Sequence, residues 1–355
     1  MNEPALQAEI VEELDSIRDD WQRLALASKN IFATWEWTTL WWRHFSEGRR
    51  RLVVACRTVD GTLVAIVPLY LWRARPVRVL RFLGHGLGDQ LGPICAADDE
   101  RGLALQALDL ALDTVAQWDV VLGEQLPAWE GWAERADARV LSREGTPLIR
   151  AGGWDEYLST RSSGVRQEIR SDGRRLERRH NVAYRRVDDA TRLDSDLGTL
   201  FALHKRRFGT GTSFAAAERF HREFAASALE RGWLRLWLLE IDGAPVAARY
   251  GYRFGGAECG YQSGWDPGWR SAGVGFVLQV HVIHAAFEDG IREYRMLRGH
   301  EPYKYRLATA DPGLVSVALP RTVIGRVAVA TAAFSRPALR RLRSLRTALK
   351  RPRGG

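Results

Sequence analysis

The chain has 355 residues, 46% of them hydrophobic, which is material for two cores rather than one. Its formal charge of +9 is local: residues 321–355 hold ten basic and no acidic residues, leaving 42 basic against 43 acidic in 1–320, so the body of the chain is not a general nucleic-acid binder. Three dispersed cysteines (Cys56, Cys95, Cys259) argue against a disulfide framework or zinc cluster, and an acidic N-terminus with no long apolar run leads us to expect a cytoplasmic protein.

In chain order, residues 10–27 have the spacing of one amphipathic helix, with Ile10, Leu14, Ile17, Trp21, Leu24 and Leu26 near one face. A second helix is expected over 35–45. Its Trp35, Trp37, Trp41 and Trp42 form either a ligand-stacking platform or a wedge against a sheet, and the wedge is favoured because aromatics dominate cores. Strands over 52–59 and 63–71 flank the turn Asp60-Gly61. A shift of 182 residues lays this turn on Asp242-Gly243, Val64-Ala65 on Val246-Ala247 and Tyr70 on Tyr252, which predicts two tandem units with the same hairpin and the same turn.

The glycine-rich segment F-L-G-H-G-L-G-D-Q-L-G-P-I at 82–94 places His85, Asp89 and Gln90 near a strand end, a candidate wall of a substrate cleft. The next helix would start at A-A-D-D-E-R-G-L (96–103), too acidic to receive a phosphate. A further helix is expected over 125–140, then a strand at T-P-L-I-R-A and a boundary near Ala151-Gly152-Gly153.

Trp154 to His180 reads as one or two helices, with Arg166, Arg170, Arg174 and Arg178 in a stripe at spacing four. The stripe either grips phosphate, tRNA or an anionic polysaccharide, or is a solvated face, the reading we favour. A strand (182–187) and two helices (193–208 and 216–231) lead into three strands: 234–241, 245–254 and 258–263. The loop W-D-P-G-W-R-S-A-G-V-G then opens a helix over 274–288, followed by a strand at 293–297, the segment R-G-H-E-P-Y-K-Y-R and a last strand to 319. Beyond Pro320, an apolar stretch and Leu339, Leu342, Leu345 and Leu349 among arginines read either as an amphipathic membrane-surface element or as a solvated, disordered tail.

Arg270, Gly273 and Gly275 spell R-x-x-G-x-G at a helix start. Glycines there let backbone N–H groups approach a ligand, and the helix terminus adds about half a positive charge, so a pyrophosphate fits. The order of elements resembles the GNAT acyltransferases, whose Q/R-x-x-G-x-G/A loop holds the pyrophosphate of acyl-CoA. Y-Q-S-G-W-D-P at 261–267 and L-R-G-H-E-P-Y-K-Y-R at 297–306 resemble motifs of the CelD-like or BioF-like branch, which is related to the Fem aminoacyltransferases. His300 stands where that branch usually has Asp.

The resemblance implies an α/β (α+β) fold of tandem GNAT-like domains, each a mixed, mostly antiparallel sheet flanked by helices. Residues 1–150 would be a degenerate unit, 151–320 the acyltransferase unit with its arginine-rich helix at 154–180, and 321–355 a basic tail. It implies a transferase that moves an acyl group from acetyl-CoA or another acyl-CoA to an amine or hydroxyl of a sugar, polysaccharide or cell-envelope precursor, as in polysaccharide biosynthesis. The pantetheine would enter a splay between strands 258–263 and 293–297 and pair with backbone near Tyr261 and Gln262. Arg270, Gly273 and Gly275 would hold the pyrophosphate, and the branch often has Asp at the position of Asp89, which implies contact with the acceptor. Glu301 is the candidate general base, Tyr303 the acid for the departing thiolate, and Lys304 the electrostatic stabiliser, at a position where Fem relatives have a functional lysine.

Two other readings accompany this one. A Fem-type aminoacyltransferase would use aminoacyl-tRNA, with the stripe at 166–178 as its support. A catalytically idle scaffold would dock through the basic tail on an anionic membrane, peripheral to the inner membrane face. His281, His284 and Glu288 share a helical face, but no further ligand set accompanies them, and no metal is expected.

Overall fold

In the computed structural model, residues 6–96 and 102–331 are described. The elements of the first half are β1 (Leu6–Ile10), α1 (Arg18–Ala27), α2 (Trp35–Phe45), β2 (Arg49–Thr58), β3 (Leu63–Ala74), β4 (Val77–Phe82), α3 (Leu103–Thr114), β5 (Val120–Pro127), β6 (Arg139–Glu144) and β7 (Leu148–Arg150). Then come α4 (Trp154–Ser159), α5 (Ser163–Glu177), β8 (Val182–Arg186), α6 (Leu193–Phe208), α7 (Ser213–Ala216), α8 (Glu218–Glu230), β9 (Leu234–Ile241), β10 (Ala244–Phe254) and β11 (Ala257–Trp265). The chain ends its described part with α9 (Val274–Glu288), β12 (Glu293–Arg295), α10 (Pro302–Leu307) and β13 (Leu314–Pro320).

Two mixed, mostly antiparallel sheets result, each flanked by helices. One has the order β1-β2-β3-β4-β5-β13-β6 and the other β7-β12-β11-β10-β9-β8. The same path is traced twice. An antiparallel meander (β2-β3-β4, then β9-β10-β11) is followed by a helix (α3, then α9) and by a strand parallel to the meander's last one (β5, then β12). The expected tandem architecture is thus visible in topology.

Three local expectations differ. The first helix begins only at Arg18, because Leu6–Ile10 alternates half-buried and exposed residues and pairs with β2 as an edge strand. The helix expected over 125–140 is absent: Pro127 ends β5, and Gly131, at φ +81°, turns the chain after one 3-10 turn. The two hairpin turns also differ. Asp242 and Gly243 both have positive φ (+50° and +81°) in a two-residue turn, whereas Asp60-Gly61 sits in a four-residue loop between Thr58 and Leu63.

The larger correction concerns the division at 150/151. β7, from the first segment, pairs with β12 in the second sheet, and β13, from the second segment, lies between β5 and β6 in the first. Each sheet therefore borrows a strand across the boundary. The apolar cores follow suit. Trp37 is fully buried at the centre of a cluster drawn from both segments, edge-on to Phe32, Phe220, Phe224, Tyr252 and Tyr261. The tryptophan helix is a wedge, and it is driven against α8 and β10 of the other unit.

Of the tail, residues 323–331 are helical, and Val329 packs on Val79, Val120 and Ala318. The arginine- and leucine-rich part beyond 331 and the acidic segment at 97–101 lie outside the described residues. Among the described residues no helix is long and apolar enough to cross a membrane.

Candidate active site

The second sheet opens where the chemistry was expected. β11 pairs in parallel with β12 from Ala257↔Glu293 to Cys259↔Arg295; beyond Cys259 no strand lies along that edge of β11 among the described residues. On its other edge β11 carries a bulge: Tyr250 pairs with Gln262 and Gly251 with Gly260, leaving Tyr261 unpaired. The Tyr261 side chain is not in the opening. It is buried in the shared core, and its hydroxyl donates to the Leu87 carbonyl at 2.8 Å. Of Tyr261, only the backbone remains for a ligand, whereas Gln262 is half-buried.

A cavity of about 190 Å³ lies beside this opening, lined by the strand end, the loop before α9 and α10. Asp266 accepts from the Gly268 N–H and, with Pro267, starts the tight turn that leads to Gly273. Gly273 takes φ +67°, a conformation costly for any other residue, and α9 follows with no side-chain cap. The N–H groups of Val274 and Gly275 have no intrahelical acceptor by their position, and both residues line the cavity. Gly275 is packed against Trp265: a Cβ there would lie 2.9 Å from the indole Cδ1. Arg270 is exposed on the rim, and Arg306 stacks over Phe276 at 5.3 Å while pairing with Glu168.

The inner wall was not anticipated. Arg249 is 6% exposed in the middle of β10, with Nη2 donating to the Gly260 carbonyl at 3.3 Å and Nε without a partner. Gly260 is required beneath it, because a Cβ would meet both the guanidinium and the Tyr294 hydroxyl. Gln279 of α9 is buried too; its amide donates weakly to Tyr294 at 3.4 Å, and its Oε1 has no partner. Arg207 completes the wall, donating to Ser263 Oγ at 2.9 Å between the rings of Phe208 and Trp265. Burial, with Arg249 adding repulsion, lowers the affinity of Arg207 for its proton, while Tyr303 and Glu301 oppose the shift. A charge inside the apolar run of 245–254 was the visible signal for Arg249, masked by the abundance of arginine in this chain.

Of the expected catalytic group, Tyr303 lines the cavity. Glu301 is half-exposed; burial works against its ionisation, but Lys304 and other neighbours outweigh burial and hold the carboxyl below its ordinary value. Lys304 is 5% exposed and fully engaged, with Nζ 3.2 Å from the Leu297 carbonyl, 2.6 Å from that of Arg298 and 3.1 Å from Glu301 Oε2. It ties down the segment after β12. His300 does the same from the other side, bonding the Gly145 N–H and the Tyr305 hydroxyl.

Asp89 lines neither this cavity nor the larger one. It is buried and paired with Arg298 at 3.2 Å; burial pushes its carboxyl up, and Arg298 opposes the shift. Its neighbour Gln90 does line a cleft of about 340 Å³ between the two units, with Lys29, Trp129, Glu130, Arg150 and Leu297. β12 contributes Glu293 and Arg295 to this cleft and no residue to the lining of the smaller cavity. His281 is stacked on Tyr184 and His284 pairs with Glu288; among the described residues no three candidate ligands converge for a metal.

Residues 163–305, which hold every residue lining the smaller cavity except Arg306, match the family model described as "Acetyltransferase (GNAT) domain". This segment is a GNAT acetyltransferase domain. The chain that carries the GNAT domain is accordingly an acyltransferase. Its fold is shared by FemX (TM-score 0.62, 11% identity, covering 88% of this chain and 97% of that one). The C-terminal domain of a putative lysylphosphatidylglycerol synthetase from Agrobacterium fabrum is also similar (TM-score 0.55, 11% identity, 90% and 96% covered). So is L-PGS from Bacillus licheniformis (0.53, 13%, 90% and 96%). No curated protein sequence matches the chain significantly.

Proposed function

We propose that the chain transfers an acyl group from an acyl-CoA, such as acetyl-CoA, to an amine or hydroxyl of a sugar, polysaccharide or cell-envelope precursor. The observation that carries this reading is the uncapped N-terminus of α9 behind Arg270, Gly273 and Gly275, opening onto the cavity beside the β11–β12 splay. The pyrophosphate sits on the free N–H groups and Arg270. The pantetheine runs into the cavity along the unpaired edge of β11, against the backbone of Tyr261 and Gln262. The acceptor approaches from the inter-unit cleft, which β12 lines and where Gln90 rather than Asp89 can touch it. At the junction Glu301, ionised at neutral pH, accepts the nucleophile's proton, and Tyr303 protonates the departing thiolate. Lys304 acts through the backbone it holds, placing both side chains.

The test is calorimetric titration of CoA. R270Q, which leaves the backbone untouched, and G273E, which puts a charge where the pyrophosphate lies, should each weaken binding more than tenfold, about 1.4 kcal/mol. Unchanged affinity in both variants refutes the reading.

A second reading, aminoacyl transfer from tRNA, is supported by α5. Arg166, Arg170, Arg174 and Arg178 line one side of an open groove there. A salt-sensitive complex with tRNA that is lost in the double variant R170E/R174E would favour it over CoA.

A further inference from the structure

The inner end of the cavity holds more positive charge than CoA can explain. Four arginines line it (Arg207, Arg249, Arg270 and Arg306), and among the described residues no aspartate or glutamate does. Arg306 is paired with Glu168, and Arg270 stands at the rim by the phosphate loop. That leaves Arg207 and Arg249, both on the inner wall and neither within ion-pair distance of a carboxylate among the described residues. Glu301, the carboxylate whose charge acts on Arg207, is already paired with Lys304.

Buried arginines are ordinarily paired, because a desolvated charge without a counter-ion is costly. Here a buried Arg249 and a half-buried Arg207 line the same cavity and repel one another. Arg249, 6% exposed, is met by the Gly260 carbonyl and the Tyr294 and Tyr303 hydroxyls, none of them an anion, and among the described residues its Nε has no partner, when guanidinium chemistry favours a two-pronged anionic acceptor. Beside it, the unpartnered Gln279 Oε1 can accept from a ligand N–H or O–H. Such a wall is incomplete until an anion enters, and the planar fork of Arg249 matches a carboxylate.

We infer that Arg207 and Arg249 form a carboxylate subsite: a ligand group at the reacting end of the cavity carries a carboxylate. This rests on the cavity being the acyl-donor site. The carboxylate has two possible sources with the same chemistry. It is the distal acid of a dicarboxylic acyl group, as in succinyl-CoA, or the carboxylate of an amino-acid acceptor.

Calorimetry on the full-length protein separates these. CoA, acetyl-CoA, succinyl-CoA and free succinate are titrated into the wild type, R207Q, R249Q and R249K; the last keeps the buried charge but lacks the fork. Succinyl-CoA binding at least tenfold tighter than acetyl-CoA, with the preference abolished in R207Q and R249K, assigns the carboxylate to the acyl group. Equal affinity for the two thioesters, together with L-alanine but not its methyl ester binding the CoA-loaded protein and lost in the same variants, assigns it to the acceptor. CoA binding without either preference overturns the subsite and leaves the donor reading standing. Succinate binding that R249K abolishes, in a protein that ignores CoA, keeps the subsite and removes the donor reading. Binding of neither succinate nor CoA removes both.

Discussion

Replacing Lys304 by methionine tests how the segment after β12 is held. The ammonium is 5% exposed and bonds two backbone carbonyls, of Leu297 and Arg298, besides Glu301. Methionine matches the length of the side chain but leaves both carbonyls without their donor. Each stranded buried acceptor costs roughly 1–3 kcal/mol, so the pair should cost about 2–4 kcal/mol once water partly reaches Arg298. The ion pair with Glu301 adds little, since that carboxylate is half in solvent. At about 2 °C per kcal/mol for a chain of this size, Tm should fall by roughly 4–8 °C. Differential scanning calorimetry reads this directly, and CoA titration of the same variant should show nearly intact affinity, because the α9 loop is untouched. An unchanged Tm with abolished turnover would refute the argument and return the ammonium to the chemistry itself.

Gly260→Ala should push its methyl into the Arg249 guanidinium, lowering stability by about 1–3 kcal/mol and displacing the inner wall; a denaturant melt and the succinate titration check both effects. Trp37→Ala should cost about 3–5 kcal/mol and unfold both units in one transition, whereas two separate calorimetric peaks would show that the shared core does not couple them. His221 is fully buried among Trp37, Phe214 and Phe220, with both ring nitrogens unpartnered, and burial pushes it down to about 3. Its contribution to stability is therefore present above its unfolded value near 6.5 and is lost as the pH falls toward 3. His221→Phe should flatten the acid limb of a Tm-against-pH curve, and an unaltered limb would contradict the assignment.

What was legible in the sequence is what local patterns control. α6 and α9 fall on the residues that apolar spacing gives, because each packs one face over its whole length. The Asp242-Gly243 turn was legible because its positive φ angles need those residue types. The exchange of β7 and β13 was not, since short apolar strands carry no mark of which sheet they will join. The partners of Lys304 and Asp89 were not legible for a related reason. Their residue types fit catalysis or substrate contact, but their partners (two carbonyls for one, Arg298 for the other) come from the folded chain and leave no spacing signal. Arg249 was hidden differently, in a composition where arginine is commonplace.

The reciprocal loan of β7 and β13 has a consequence for how this protein can be inherited or engineered. A cut near residue 150 gives two fragments, the first with a gap between β5 and β6 and the second with β12 bared as an edge, and each defect is filled by a strand of the other. Neither half can be shuffled onto another enzyme as a module, and the catalytic half cannot be trimmed to a minimal transferase. The two fragments should instead behave as a complementing pair, insoluble apart and active when expressed together. The smaller cavity and the inter-unit cleft are then held at a spacing set by backbone hydrogen bonds rather than by a hinge.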